Sequence, residues 1–291
     1  MIDDFETKVL RQIERLNVYP YSALERQVTE KRIAWFKQKY PENFSRELPT
    51  PREAYELLFL EYMGIRPEEL PIVAESEMKI EWLSLNPCPT LEACKAIQLD
   101  TRQVCRAVYE KSTQALVSQL DPQLRFLRSY DEIRPHANHC RERILRVDFE
   151  GMMAVAIQEA KISRRDGDKG YGAVIALGDR IVGKAHDTAA TEGDPSLHAE
   201  VNAIRQAVYA LDDANLSGAI LFSTCEPCPL CSSLAVWANL TTIVYGISIQ
   251  ETAQMGKARI LVSAKEIVEK SPVMLEVIGG VLRDECEQLY A

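Results

Sequence analysis

From Phe149 to Gly246 the chain alternates helix and strand signals without a break, and this alternation limits the fold more than any other feature of its 291 residues. FEGMMAVAIQEAKIS has the apolar spacing of an amphipathic helix. RRDGDKG is a loop, YGAVIALG a short continuous apolar strand, and GDRIVGKAH a second strand joined to it through a Gly-Asp turn. A helix (SLHAEVNAIRQAVYAL), a strand (GAILFST), a helix (CSSLAVWANL) and a strand (TTIVYG) follow. Such alternation predicts a sheet covered by helices, an α/β domain. The remaining tail adds one or two helices and a strand in VMLEVI.

The pattern before Val147 is different. Phe5, Val9, Ile13 and Leu16 mark a first helix. SALERQVTEKRIAWFKQKY predicts a second, with Ser22 and Glu25 as a capping box and Pro41 as its stop. PREAYELLFLEYM predicts a third, ending at Gly64. EMKIEWLSL alternates as a strand, with Met78, Ile80 and Trp82 on one face. TLEACKAI and DTRQV start two more helices, Asp100 and Gln103 resembling a second capping box. The length suggests two domains: a mainly helical α+β domain over 1–147 and an α/β domain over 148–291.

Composition narrows the class of partner. Residues 1–147 carry 22 Lys/Arg against 23 Asp/Glu, and residues 148–291 carry 12 against 20, so nearly all of the net charge of -9 lies in the second half. A protein that grips a phosphate backbone usually shows the opposite balance. Nucleic acid is therefore not the expected partner. No apolar run is long enough to span a bilayer, and the N-terminus lacks the pattern of a signal peptide, so no membrane partner and a cytoplasmic location are expected. In that compartment eight cysteines are thiols or metal ligands rather than disulfides.

TCEPCPLC, at 224–231, concentrates three of those cysteines. By itself it is compatible with a disulfide, a redox pair or a metal site. Cys228 and Cys231 are separated by two residues at the start of a predicted helix, where both sulfurs can face one point and the helix dipole favours thiolates. Upstream, SLHAEVNAI places His198 and Glu200 at the start of another helix. Two Cys and one His supply three zinc ligands and leave a fourth position for water, the layout of a catalytic site. Glu200 is placed to take the water's proton without ligating the metal. HAE followed by PCPLC matches the H-x-E…P-C-x-x-C pattern of zinc deaminases.

With YGAVI, DPSLHAEVNAIRQA, LFSTCEPCPLCSSLAVW and TIVYGIS, residues 148–291 resemble the cytidine-deaminase superfamily, and within it the guanine, yeast-type cytosine and bacterial tRNA adenosine deaminases. The resemblance implies a three-layer fold, a mixed sheet covered by helices. It implies one Zn2+ per chain on His198, Cys228 and Cys231, with Glu200 as the catalytic proton shuttle. It further implies that Glu226 and Pro227 shape the turn, and that the backbone at Ala199, Thr224 and Cys225 lies by the substrate. Hydrolytic deamination of a nucleobase, nucleoside or related amino-heterocycle, with water as co-substrate, ammonia as a product and a homodimer as the working form, is the expectation. A tRNA-editing deaminase and a non-catalytic ligand-binding protein on the same scaffold are the alternatives. One position departs from the family pattern. Asp187 stands where these deaminases carry an Asn that helps hold the substrate. An ionised Asp only accepts hydrogen bonds, so either the substrate presents an extra donor there or Asp187 pairs with a cation. His186 beside it is read as structural, and Cys225 as part of the pocket wall.

The first half has no family assignment. Cys88, Cys94, Cys105 and Cys140, with His136 and His139, match no zinc spacing, and helix-face cysteines pack as small hydrophobes. The arginines of LRFLRSYDEIRP suit either an anion grip or, as the simpler reading, a solvated charged face.

Overall fold

Residues 4–40, 49–271, 273 and 275–291 are described by the computed structural model, and they divide into two units, Met1–Val147 and Asp148–Ala291. The first unit begins with α1 (Phe5–Val18) and α2 (Tyr21–Lys39). α1 starts where the Asp4 carboxylate accepts the Thr7 amide. The box expected at Ser22 and Glu25 does not form. The cap of α2 is Pro20, whose φ of -59° already suits the entry, so Ser22 lies within the helix and Glu25 is buried on its packed face. Pro41 lies outside the described residues.

α3 (Pro51–Tyr55) has a true capping box, Thr50 with Glu53, and runs on as a π-helical stretch, Glu56–Tyr62, before Gly64. Next come β1 (Ile72–Ser76), β2 (Lys79–Ser84), α4 (Pro89–Ala96), α5 (Thr101–Val104), a π-helical stretch Cys105–Glu110, α6 (Lys111–Val117), β3 (Leu124–Arg128) and β4 (Cys140–Arg146). Asp100 caps α5 through the Arg102 amide, but Gln103 completes no box. The four strands form an antiparallel sheet in the order β1-β2-β4-β3. Ile80 and Trp82 are buried on one face of β2, as alternation requires. Met78 is not with them, because it sits exposed in the turn from β1. Trp82 anchors this core, its ring centroid 5.0 Å from that of Tyr55 and 4.8 Å from that of Phe59. LRFLR is strand β3 rather than a solvated face. Arg125 is only 1 % exposed, and Arg128 faces Glu142 on β4.

In the second unit α7 (Phe149–Asp166) is capped by Asp148 and ends at Gly167, whose φ of 103° is the left-handed stop. β5 (Gly172–Leu177), β6 (Arg180–His186), α8 (Ala199–Leu211), β7 (Ala219–Cys225), α9 (Pro229–Trp237) and β8 (Thr242–Ile247) follow in the expected order. The tail is richer than expected, with α10 (Ile249–Gln254), α11 (Ala264–Glu269), β9 (Glu276–Gly279) and α12 (Arg283–Glu287). The sheet order is β6-β5-β7-β8-β9; β5 is antiparallel to both neighbours, while β7, β8 and β9 run parallel. This is the mixed sheet of the expected three-layer α/β fold. Ala173 and Ile175 of β5 pack with Ala203 and Ala207 of α8 and Ala235 of α9. Gly172 points the other way, at α7.

That close approach requires a glycine. A Cβ on Gly172 would meet Ala156 O at 2.0 Å and Ala160 N at 2.5 Å, both backbone atoms that cannot swing aside. Gly172→Ala is therefore expected to destabilise the protein by about 3 kcal/mol, read as a lowered midpoint in urea unfolding of the full chain. An unchanged midpoint would mean that α7 moves outward freely.

Candidate metal centre and active site

Two helix N-termini meet at one point in the second unit. His198 is the cap residue of α8 and Cys228 the cap residue of α9, both in extended backbone conformation with side chains that cap nothing. Cys231 lies one turn into α9 and is fully buried. His198 Nδ1 is 3.6 Å from Cys228 Sγ and 3.4 Å from Cys231 Sγ, and the two sulfurs are 3.7 Å apart. Tetrahedral zinc with ordinary Zn–S and Zn–N bonds sets its ligands about 3.8 Å apart for two sulfurs and about 3.5 Å for sulfur and nitrogen. The donor set thus fits that ion in kind and in spacing. Among the described residues this is the one such group, so the first unit's Cys and His residues gather no second centre. His139 instead bonds Glu132 at 3.0 Å.

The electrostatics suit a metal. The sulfur–sulfur hydrogen bond and then the bond from His198 pull Cys228 down to about 4, while Cys231, on the other side of that bond, is pushed well up. Glu200, on the first turn of α8, is 6 % exposed. Its Oε1 lies 2.9 Å from Ser223 Oγ on β7, and its Oε2 lies 3.4 Å from Cys231 Sγ. Burial, and then the charge of Cys228, raise its pKa.

A cavity of about 190 Å³ opens beside this group. His198, Glu200, Cys228, Asp187 and Cys225 line it; Ala199, Thr224 and Cys231 are not among its lining residues. The Thr224 hydroxyl is engaged with Gly172 N at 3.1 Å and Tyr290 OH at 2.7 Å. Asp187 follows the last residue of β6 and is 1 % exposed; burial raises its pKa. Its Oδ1 accepts the Ala189 amide at 3.3 Å, and no cation among the described residues lies within ion-pair distance of it. His186 pairs with Glu159 at 3.0 Å. Glu226 is buried at the turn, where Oε2 accepts Ile249 N and Oε1 accepts Ala264 N, both at 2.9 Å. One carboxylate so ties the start of α10 and of α11 to the cysteine turn.

Tyr171 and Arg259 also line the cavity, and neither was singled out from the sequence. Arg259 Nε donates to Thr252 Oγ1 at 3.0 Å, its Nη2 donates to Tyr171 OH, and its guanidinium lies 4.9 Å from the Tyr171 ring centre. Tyr171 opens the quoted YGAVI stretch, whereas AQMGKARIL around Arg259 carries no motif.

A His, Cys and Cys donor set that could hold zinc, next to a buried carboxylate on a mixed sheet, is the arrangement of a hydrolytic deaminase domain. Residues 147–247 match the model of the cytidine and deoxycytidylate deaminase zinc-binding region, and the chain belongs to that family. It is 33 % identical over 134 residues to a tRNA-specific adenosine deaminase of Bacillus subtilis, a match covering 46 % of this chain and 81 % of that protein. It is 36 % identical over 86 residues to a guanine deaminase of the same organism, covering 30 % of this chain and 55 % of that one. Among solved structures, one from a study of tRNA:A34 deaminases aligns at 25 % identity with a TM-score of 0.43, covering 48 % of this chain and 98 % of that chain. The family is one of zinc-dependent hydrolases acting on the C–N bond of amino-heterocycles. Among the described residues no helix is long and apolar enough to cross a membrane.

Proposed function

We propose that this protein deaminates a free nucleobase or an amino-heterocycle of similar size. His198, Cys228 and Cys231 would hold one zinc, and Glu200 would carry the protons. The observation that carries the reading is the tetrahedral spacing of the three donor atoms, with Glu200 Oε2 beside them. When bound, zinc supplies a water acidic enough to act as nucleophile near neutral pH. Glu200, held at Oε1 by Ser223, takes a proton from that water. Water oxygen bonds to the ring carbon bearing the exocyclic amine, and the C–N bond to that amine breaks. Of the two water protons, one ends on the adjacent ring nitrogen and the other on the departing amine. Ammonia leaves, and the product carries a carbonyl. Burial keeps Glu200 basic enough to accept the proton and protonated long enough to return it.

The small cavity favours a free base. Its volume of about 190 Å³ lies below the range of roughly 300–1,000 Å³ that encloses larger ligands. Asp187, which lines the cavity and whose carboxylate bonds only the Ala189 amide among the described residues, would accept a hydrogen bond from the substrate. The similarity to tRNA-specific adenosine deaminases favours a second reading, an RNA substrate; the acidic balance of 148–291 opposes it. We also read 1–147 and 148–291 as separate domains, and a homodimer as the working form, with the exposed Trp237 and Tyr209 available for its interface. The zinc-loaded 291-residue chain is expected to release ammonia from at least one of guanine, cytosine, adenine, an aminopterin or an aminotriazine. Asp187→Ala should raise KM by about 10- to 100-fold at unchanged zinc content. Ammonia release from tRNA alone, with salt-sensitive binding, would replace this reading by the second.

A further inference from the structure

The first unit contains a cavity of about 380 Å³, within the range of small-molecule sites. Three arginines line it, Arg32, Arg128 and Arg134. Each has a buried guanidinium nitrogen without a hydrogen-bond partner: Nε of Arg32, Nη1 of Arg128 and Nε of Arg134. Buried donors are nearly always paired, so three residues with an orphan nitrogen around one cavity mark an unusual concentration of unmet positive charge.

The charges are unbalanced too. Arg32, on α2, is only 5 % exposed, and neutral groups alone hold it: Thr113 Oγ1 at 2.6 Å, Ser112 Oγ at 3.0 Å and the Tyr109 carbonyl at 3.5 Å. Arg134 donates to the carbonyls of Asn86 at 2.8 Å and Leu85 at 3.3 Å. Arg128 alone has a counter-charge, Glu142, at 2.7 Å from its Nε. Two guanidinium charges therefore stand without a carboxylate among the described residues. A buried cation without a counter-charge, as Arg32 is, is costly. The N-terminus of α4, at Cys88 to Leu91, opens on the same cavity and adds the positive end of its dipole. The remaining wall includes Phe59, Tyr62 and Tyr109, a surface for a planar apolar body.

We propose that the first unit binds a small aromatic phosphomonoester, its phosphate neutralised by Arg32 and Arg134. Two uncompensated charges match a phosphomonoester, which approaches a dianion at neutral pH, better than a carboxylate. Arg134 of LRFLRSYDEIRP is then part of an anion grip that it shares with Arg32, about a hundred residues earlier in the chain.

The test is calorimetric titration of the zinc-loaded 291-residue chain with phenyl phosphate, benzoate and inorganic phosphate. Phenyl phosphate should bind once per chain, at least tenfold more tightly than benzoate or inorganic phosphate. Arg134→Met, at a half-buried position, should weaken it about tenfold, and Arg32→Met about 100-fold, both with zinc content and ammonia release unchanged. Should Arg32→Met not fold, Arg32→Lys, which keeps the charge but loses the fork, should still weaken binding. Glu200→Gln should leave it intact, because that residue lies in the other cavity. The proposal is overturned by absence of saturable phenyl phosphate binding at millimolar concentration, by tighter binding of benzoate, by indifference to Arg134→Met, or by loss of binding when zinc is removed.

Discussion

Glu200→Gln is expected to lower kcat by about 10²- to 10⁴-fold in protein that still holds about one zinc per chain. Glutamine keeps the length and the oxygen that meets Ser223, so the packing at this 6 % exposed position is preserved. What it loses is the ability to take and return a proton. In the proposed reaction every proton on its way from water to ring nitrogen or amine passes through this carboxylate, and no second acid replaces it. Among the described residues the nearest carboxylates are engaged or differently placed: Glu226 spends both oxygens on backbone amides, and Asp187 accepts from Ala189. A fall in kcat and in kcat/KM by the same factor would place the loss in the transition state. Rates of ammonia release together with zinc analysis decide the matter. Turnover that survives the substitution at full zinc occupancy would mean another group carries the protons.

The alternation after Phe149 was legible because each element has one dominant period and a clean boundary. β7 is apolar from Ala219 to Phe222 and buried on both faces, and α8 and α9 start at the residues that carry the chemistry. The metal group was legible for a different reason: few functions need His, Cys and Cys with a nearby carboxylate, so residue types alone bring together positions 30 apart in the chain. Tyr171 and Arg259 had no such signal. Their mutual contact spans 88 positions and depends on how α10 folds back, which Glu226 fixes from the turn. In the first half, charge concealed strands. LRFLR sets two arginines among apolar residues, and without its partner strand it reads as solvated. Paired as β3 with β4 it buries Arg128 against Glu142, a neutralisation that no local pattern announces. The two capping boxes failed because the pattern of side chains recurs inside helices as readily as at their ends, whereas the box at Thr50 is followed by Pro51, which marks a first turn.

Cys228→Ala, Cys231→Ala and His198→Ala should each weaken zinc binding by at least about 100-fold, since partners that merely orient ligands already cost 10- to 100-fold. Cys225→Ala should leave the metal in place. All four residues are close in space, and three of the four side chains are cysteines, so the contrast separates ligation from proximity. The Cys225 sulfur points toward Thr252 Oγ1 at 3.8 Å and Arg259 Nη2 at 3.7 Å, and burial pushes its thiol up to about 12, a poor prospect for a thiolate ligand. The other two sulfurs and His198 Nδ1 form a triangle with edges of 3.4 to 3.7 Å. Removing any corner leaves two protein donors, too few for a zinc site. Loss of bound metal also withdraws its stabilisation of the folded state, about 4 kcal/mol at free zinc a thousandfold above Kd. The three ligand variants should therefore melt lower than the parent in zinc buffer and alike in chelator, while Cys225→Ala responds to chelator as the parent does. Zinc retained by Cys228→Ala and lost by Cys225→Ala would assign the ligands differently.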